Sequence, residues 1–446
     1  MNLKNPKSNR PSLPTGQAGM DTGPDDPRRY LRNFLLHFRP TTVPERTLRF
    51  TFTWGLGIAA TTLIGLLLLS GLLLKFVYEP VPGRAYESIL YINSQVPFGQ
   101  LLRNVHRWSG NGLLLVVFLH FLRVFYTGAF LPPRQVNWIV GLGLFAAVIL
   151  SNFTGYLLPW DQVAYWAITI STSMLDYLPV IGSGLKSWLL GGPEPGAASL
   201  LNFYAIHTAI LPIVLLFAVP FHFWKIRKAN GIVIPRRPDE PPGVTGNMIR
   251  TVPHLLVREA TIVIAVLAIM LAVAITLNAP LAEQANPGLS PNPTKAPWYF
   301  MGIQELLMHF HPVFALLVIP GILLIGLLAL PWLRYDANVS GIWFCSATGR
   351  KTAILALVSG AVLTVAGVLA SEHGLLGPGI ISGGLIPFSA AILVTAIFWF
   401  LVRKAFQASM NEAVQAIFTL LISAFITLTL IGVWFRGSGM QLMWAG

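Results

Sequence analysis

RNVHRWSGNGLLLVVFLHFLR, residues 103–123, decides how the rest of the chain is read. The stretch is apolar enough to cross a bilayer, yet it carries two histidines, His106 and His120, 14 residues apart. Fourteen steps of about 100° return to within ~40° of the starting face, so both imidazoles lie on one side of a single helix. A second stretch, FYAIHTAILPIVLLFAVPFHF (203–223), holds His207 and His222 at an interval of 15. That interval returns to within ~60° of the starting face, and a rise of ~1.5 Å per residue puts each pair about 21 Å apart. Each helix thus carries one histidine near each membrane surface. In antiparallel helices, His106 stands level with His207 and His120 with His222.

The surrounding chain is built for lipid. Of 446 residues, 54% are hydrophobic and 11% charged, against about 25% charged in a soluble domain; the mean hydropathy is +0.65. Soluble enzymes, nucleic-acid binders and disulfide-rich secreted domains are excluded, and the lone Cys345 leaves no disulfide, zinc cluster or cysteine-ligated iron–sulfur centre. The first 28 residues read as a flexible tail without the apolar run of a signal peptide. Nine stretches can span a bilayer: 51–74, 105–127, 136–158, 203–226, 259–279, 313–333, 351–371, 383–402 and 413–435. The fold class is therefore an all-α integral membrane protein, a four-helix bundle over 29–235 followed by a second membrane domain over 236–446. Threaded alternately, the spans sort Lys and Arg 23 to 7 in favour of the N-terminal side, which predicts a cytoplasmic N-terminus. The net charge of +13 sets topology rather than a nucleic-acid partner. Two long loops on the opposite side, 159–202 and 280–312, predict short helices at the membrane surface.

A single intramembrane histidine reads as a hydrogen-bonded core residue or part of a proton path. Two helices with matched pairs at matched depths fit axial ligation of two haems, held by His106 with His207 and His120 with His222. Gly57 and Gly71, like Gly141 and Gly155, repeat the 14-residue interval in the neighbouring spans. They read either as clearance for a flat macrocycle or as ordinary small-residue helix packing. Arg103, Arg107 and Arg123 read as partners for haem propionates or as snorkelling interfacial side chains.

RNVHRWSG (103–110), FLHFLRVFYTG (118–128), GYLLPWDQVAYW (155–166), LPVIGS (178–183), FYAIHT (203–208) and HFWKIRK (222–228) resemble the cytochrome b/b6 family of bc-type and photosynthetic quinol-oxidising complexes. The 15-residue interval and the HRWS string are closer to the b6 type, here fused to a subunit IV-like second half. The resemblance implies the cytochrome b subunit of a proton-translocating quinol:cytochrome c oxidoreductase with two non-covalent haem b groups. Quinol would be oxidised on the non-cytoplasmic side, near Tyr156, Trp298 and Tyr299. Implied partners are a Rieske-type iron–sulfur protein, a c-type cytochrome, quinone, the lipid membrane and a second copy of the complex, in a bacterial cytoplasmic membrane. No nucleic acid is implied.

The chain departs from the family at Ala296-Pro297-Trp298-Tyr299, where Pro297 stands at the place of a glutamate regarded as proton acceptor. Glu305 reads as its substitute or as a helix-start carboxylate; His309 and His311 read as proton carriers or interfacial histidines. The altered loop is compatible with a low-potential quinone such as menaquinone. No cysteine precedes the first span, so a covalent third haem is not indicated. The last span reads as lipid-facing or as a contact for another subunit. Two rivals share parts of this pattern: a di-haem anchor passing electrons between a dehydrogenase or hydrogenase and quinone, and a secondary transporter.

Overall fold

The computed structural model describes residues 40–443; the tail over 1–28 lies outside them. Among the described residues, nine helices are long and apolar enough to cross a membrane: α1 Leu56–Lys75, α2 Gly99–Tyr126, α3 Gln135–Leu157, α4 Ala197–Lys228, α5 Thr251–Thr276, α6 Phe314–Trp332, α7 Ala347–Glu372, α8 Ile380–Ala405 and α9 Met410–Trp434. The only sheet among them pairs β1 Thr42–Pro44 antiparallel with β2 Met248–Arg250. The first predicted span began at 51, but a break at Trp54 and Gly55, both left-handed, separates Phe50–Thr53 from α1.

Three helices open on or contain wide π-turns, and each such turn precedes a proline. The turn Ile206–Ile210 precedes Pro212, Phe314–Val318 precedes Pro320, and Ile380–Leu385 precedes Pro387. A helical proline lacks an N–H, and its ring clashes with the carbonyl four residues back. Widening the preceding turn by one residue relieves both. The Gly/Pro-rich approach to α8 is thus compatible with a full span.

The loops divide unevenly. Residues 159–202 form the predicted short helices, Gln162–Ser173 and Gly182–Leu190. Of 280–312, only the end is helical, as a turn Trp298–Phe300 running into Met301–His309. A cluster of Ala85, Leu157, Trp160, Tyr165, Ile168, Leu190, Leu200 and Phe203 packs the first loop over the end of α3 and α4.

The last helix adds to its sequence reading a contact inside the chain. In its most apolar stretch 33% is buried inside the protein, against 6% for α5, so one face of α9 packs on protein while Leu421, Phe425, Leu430 and Trp434 stay exposed. It packs along α7 and the helix Met301–His309. Phe418 stacks on Phe125 of α2 at 3.8 Å between ring centroids, Thr419 Oγ1 lies 2.9 Å from Tyr126 Oη, and Ser423 Oγ donates to Leu357 O at 2.6 Å. Ser409 and Glu412 close a reciprocal cap at its start.

Two predictions follow from this packing. A Cβ on Gly360 of α7 would lie 2.6 Å from Leu420 O and 2.8 Å from Ser423 Cβ. Gly360→Val is therefore expected to cost about 1–3 kcal/mol by overpacking, read as a lower unfolding temperature in detergent. Burial, and secondarily the nearby Glu412, pushes the Cys345 thiol up to about 12. It is a free, buried cysteine, so iodoacetamide at pH 8 should leave it unlabelled until the protein is denatured.

Candidate functional site

Helices α1–α4 carry the four histidines and the four glycines in layers. His106 and His207 face each other with ring centroids 6.2 Å apart and planes at 82°. His120 lies within electrostatic reach of His222. Between the tiers sits an aliphatic layer of Leu63, Leu113, Leu114, Ala147, Val148, Leu211 and Leu215, drawn from all four helices. All of them but Leu211 lie close to midway along their own helix's histidine or glycine interval.

The π-turn in α4 settles the unequal spacing. Leu211 N–H bonds to Ile206 O, so one residue of the 15 between His207 and His222 is taken up by a wide turn. The two imidazoles return to the face that a 14-residue interval gives in α2.

Every glycine of the two pairs faces one histidine. A Cβ on Gly71 would lie 3.0 Å from His106 Cε1, on Gly155 2.6 Å from His207 Cε1, on Gly141 3.6 Å from His222 Cε1 and on Gly57 3.9 Å from His120 Cε1. Gly71 and Gly155 therefore give clearance to the imidazoles themselves, whereas at Gly57 and Gly141 a Cβ would make ordinary contact. Two residues the sequence reading missed complete one tier. Ser70 Oγ lies 2.9 Å from His106 Nδ1 and Thr154 Oγ1 3.1 Å from His207 Nδ1. Ser70 donates to Leu66 O and Thr154 to Leu150 O, so each hydroxyl is free to accept from its imidazole Nδ1–H. That tautomer leaves Nε2 as the lone-pair nitrogen. The available signal was adjacency, since each hydroxyl immediately precedes a glycine of the repeat.

The spacing of His106 and His207 fits a haem between them. Two imidazole–metal bonds of about 2 Å on opposite sides of one iron set ring centroids roughly 6 Å apart, as at His106 and His207. The arginines are less uniform. Arg103 donates to Ala279 O at 3.0 Å and Pro280 O at 2.6 Å, which anchors the start of the second loop. The Arg107 guanidinium lies 5.3 Å from the Tyr156 ring centroid. Arg123 donates to Phe52 O and stacks over its ring, while its Nη2 is buried without a hydrogen-bond partner. An anionic carboxylate such as a propionate would satisfy it.

The two expected quinol segments meet. Tyr299 packs against the aliphatic layer, within electrostatic reach of Arg107 and Tyr156. Trp298 Nε1 donates to Asn111 Oδ1 of α2 at 3.1 Å, and Phe300 meets Phe153 of α3 edge-on at 5.5 Å. The Tyr299 hydroxyl is buried with no hydrogen-bond partner, and burial pushes its pKa well above the ordinary range. It is a neutral donor whose hydrogen bond is unused. Asp161, also missed from sequence, joins the segments: Oδ1 caps its own helix at Ala164 N and Oδ2 accepts from Ala282 N, both at 2.9 Å.

Glu305 departs from its sequence reading. Instead of standing open to a ligand it is fully buried, with Arg436 Nε 3.1 Å from both carboxylate oxygens and His309 Nε2 3.0 Å from Oε1. Burial alone would raise its pKa, but the hydrogen bonds from His309 and Arg436 and the Arg436 charge outweigh it and hold the carboxyl below the usual range. It is a poor proton acceptor.

Residues 44–230 match the family model described as Cytochrome b/b6/petB. The chain is 42% identical over 185 residues to cytochrome b6 of Heliomicrobium gestii, covering 42% of this chain and 86% of that protein. It is 40% identical over 159 residues to cytochrome b6 of Synechococcus elongatus, covering 36% and 74%. Among solved structures it is similar to a chain of a hyperthermophilic respiratory Complex III, with a TM-score of 0.65 at 23% identity over 90% of this chain and 96% of that one. At that identity the likeness concerns the fold.

The graded glycine contacts predict a graded response. Gly155→Ala should disturb the His207 tier and lower the absorbance of bound haem, while Gly57→Ala should leave the reduced spectrum unchanged; difference spectra of the two purified variants check both.

Proposed function

Because the chain belongs to the cytochrome b/b6 family, we propose that it is the di-haem cytochrome b subunit of a respiratory bc-type complex, with its b6-like half over 29–235 fused to a subunit IV-like half over 236–446. The observation that carries this reading is the 6.2 Å facing of His106 and His207, with His120 within electrostatic reach of His222 and one glycine set beside each of the four imidazoles. Two non-covalent b haems at these tiers supply one-electron transfer across the bilayer. His106 with His207 and His120 with His222 would hold these groups, and holding by two imidazoles would suit electron transfer rather than oxygen chemistry.

Quinol binds on the non-cytoplasmic side between Tyr156 and the Trp298–Tyr299 turn. The unpartnered Tyr299 hydroxyl donates to a quinol oxygen, and the aromatic walls exclude water. Quinol loses two electrons and two protons there: one electron leaves to a Rieske-type iron–sulfur protein, which reduces a c-type cytochrome, and the other crosses the membrane to reduce quinone near the cytoplasmic face. The sidedness of Lys and Arg supports a cytoplasmic N-terminus. Proton release outside and uptake inside builds the gradient, in a bacterial cytoplasmic membrane and in a two-fold complex. Glu305 is not given the role of proton acceptor, since Arg436 occupies it.

Pyridine haemochrome analysis of the purified protein should return two b haems per chain. His106→Leu and His207→Leu should each remove the same one, and His120→Leu and His222→Leu the other, resolved by redox titration. One haem per chain, or none, refutes the reading. Tyr299→Phe, which keeps the ring and removes the donor, should lower quinol kcat/KM by about 10-fold, the worth of one hydrogen bond, without changing haem content.

A further inference from the structure

The end of α9 holds a buried charge cluster that the electron path does not use. Arg436, two residues past that helix, is 1% exposed and Glu305 0%. The guanidinium forks onto Glu305 through Nε and Nη2. Its Nη2 also lies 3.2 Å from His309 Nε2, and Nη1 reaches Met440 O at 3.0 Å and Glu372 Oε1 at 2.8 Å. One side chain therefore ties together the ends of α7 and α9 and the helix Met301–His309.

The same helix and the loop before it touch α9 at further points. A Cβ on Gly432 would lie 2.8 Å from Met301 Cε and 3.3 Å from Met301 O, and one on Gly302 would lie 2.6 Å from Thr429 Oγ1. Lys295 Nζ donates to Val433 O at 2.9 Å. Residues 295–309 are thus held on one side by α9 and on the other by the histidine bundle, through Trp298, Tyr299 and Phe300. On the bundle side the attachments are ring contacts and the Trp298–Asn111 hydrogen bond. On the α9 side there is a desolvated, forked ion pair, whose rupture leaves an unpaired buried charge.

We propose that Arg436 is a positioning residue for quinol oxidation, fixing Met301–His309 through Glu305 and thereby holding the Trp298–Tyr299 turn against the bundle. This rests on the quinol reading of Tyr156, Trp298 and Tyr299. It gives the ninth helix a role, as the buttress of the substrate loop, and it makes Glu305 the receiver of the clamp.

The test uses the intact complex in detergent, with Arg436→Gln, Arg436→Lys, Glu305→Gln and the double Glu305→Gln/Arg436→Gln. Haem content and spectra should match wild type in all four, since the histidine tiers lie on other helices. Hydrogen exchange of peptides covering 294–309 should accelerate by tenfold or more, about the loss of one buried tether, in Arg436→Gln and Glu305→Gln. Peptides of α1–α4 should be unchanged. Oxidation of a short-tailed quinol should lose about 10- to 100-fold in kcat/KM with misplacement of the turn, carried mainly by KM. Arg436→Lys, which keeps the charge but not the fork, should recover part of the loss. The neutral double variant should also recover part, because two amides can pair where one carboxylate was left alone. Unchanged exchange at 294–309 in Arg436→Gln overturns the clamp. Faster exchange with unchanged kcat/KM overturns its role in positioning. A double variant as inactive as Glu305→Gln assigns that residue proton transfer and overturns the proposal. If Arg436→Gln does not assemble, Arg436→Lys and the double variant carry the same comparisons. A wild-type complex that binds two haems but does not oxidise quinol refutes the functional reading, while the exchange data still decide whether Arg436 orders the loop.

Discussion

Packing four imidazoles into the interior of a lipid-embedded bundle is the constraint from which the rest of the N-terminal half follows. The bilayer core offers no water, so each ring needs internal partners and internal space. Space comes from the opposing helix, where glycine removes the Cβ that would meet Cε1 of the ring. At one tier the partners are the Ser70 and Thr154 hydroxyls, which take Nδ1 and leave Nε2 to face the other histidine. At the other tier no hydroxyl precedes the glycine, since Leu56 and Val140 stand there, and His222 Nδ1 is buried without a partner. Hydrogen bonding at the distal nitrogen raises the basicity of an imidazole ligand. The two tiers therefore differ in the hydrogen bonding around their imidazoles.

What could be read from the sequence was whatever a regular helix imposes. The 14-residue intervals of His106 and His120, Gly57 and Gly71, and Gly141 and Gly155 need only the helical period, and the antiparallel order of the spans then sets which residues share a depth. The 15-residue interval was legible only as an approximate match. Its resolution requires a π-turn, for which Pro212, five residues after His207, was the local signal. Ser70 and Thr154 were overlooked because a hydroxyl in a membrane helix normally bonds its own backbone, as both also do.

The second half was less legible, because hydropathy does not tell a lipid neighbour from a protein neighbour. Helices α8 and α9 have the same hydropathy, 2.4, yet 11% of one and 33% of the other is buried inside the protein. The pairing of Glu305 with Arg436 joins residues 131 positions apart, and no local pattern marks a partner at that distance. Pro297 in the place of the family's glutamate pointed to the nearest remaining carboxylate, Glu305. Proximity in sequence was a poor guide because the segment turns between the two positions, from the Trp298–Phe300 turn into the helix Met301–His309. The side chain of Glu305 is thereby directed to α9.

A carboxylate in that helix could serve the loop in one of two ways, and they conflict. Holding an arginine in a buried fork requires the carboxyl to stay ionised, with a low pKa. Accepting a proton from substrate requires a pKa near the working pH and an oxygen open to the ligand. Glu305 has both oxygens on Arg436 and a depressed pKa, so it is committed to the first task. Asp161 is no freer, since Oδ1 accepts the N–H of Ala164 in its own helix and Oδ2 that of Ala282 in the second loop. Glu305 and Asp161 are therefore both engaged, the first by the Arg436 and His309 side chains and the second by backbone N–H groups. What faces the turn itself is the Tyr299 phenol, kept neutral by burial and lacking a partner. The turn therefore presents a phenol and aromatic rings, with Glu305 and Asp161 engaged elsewhere.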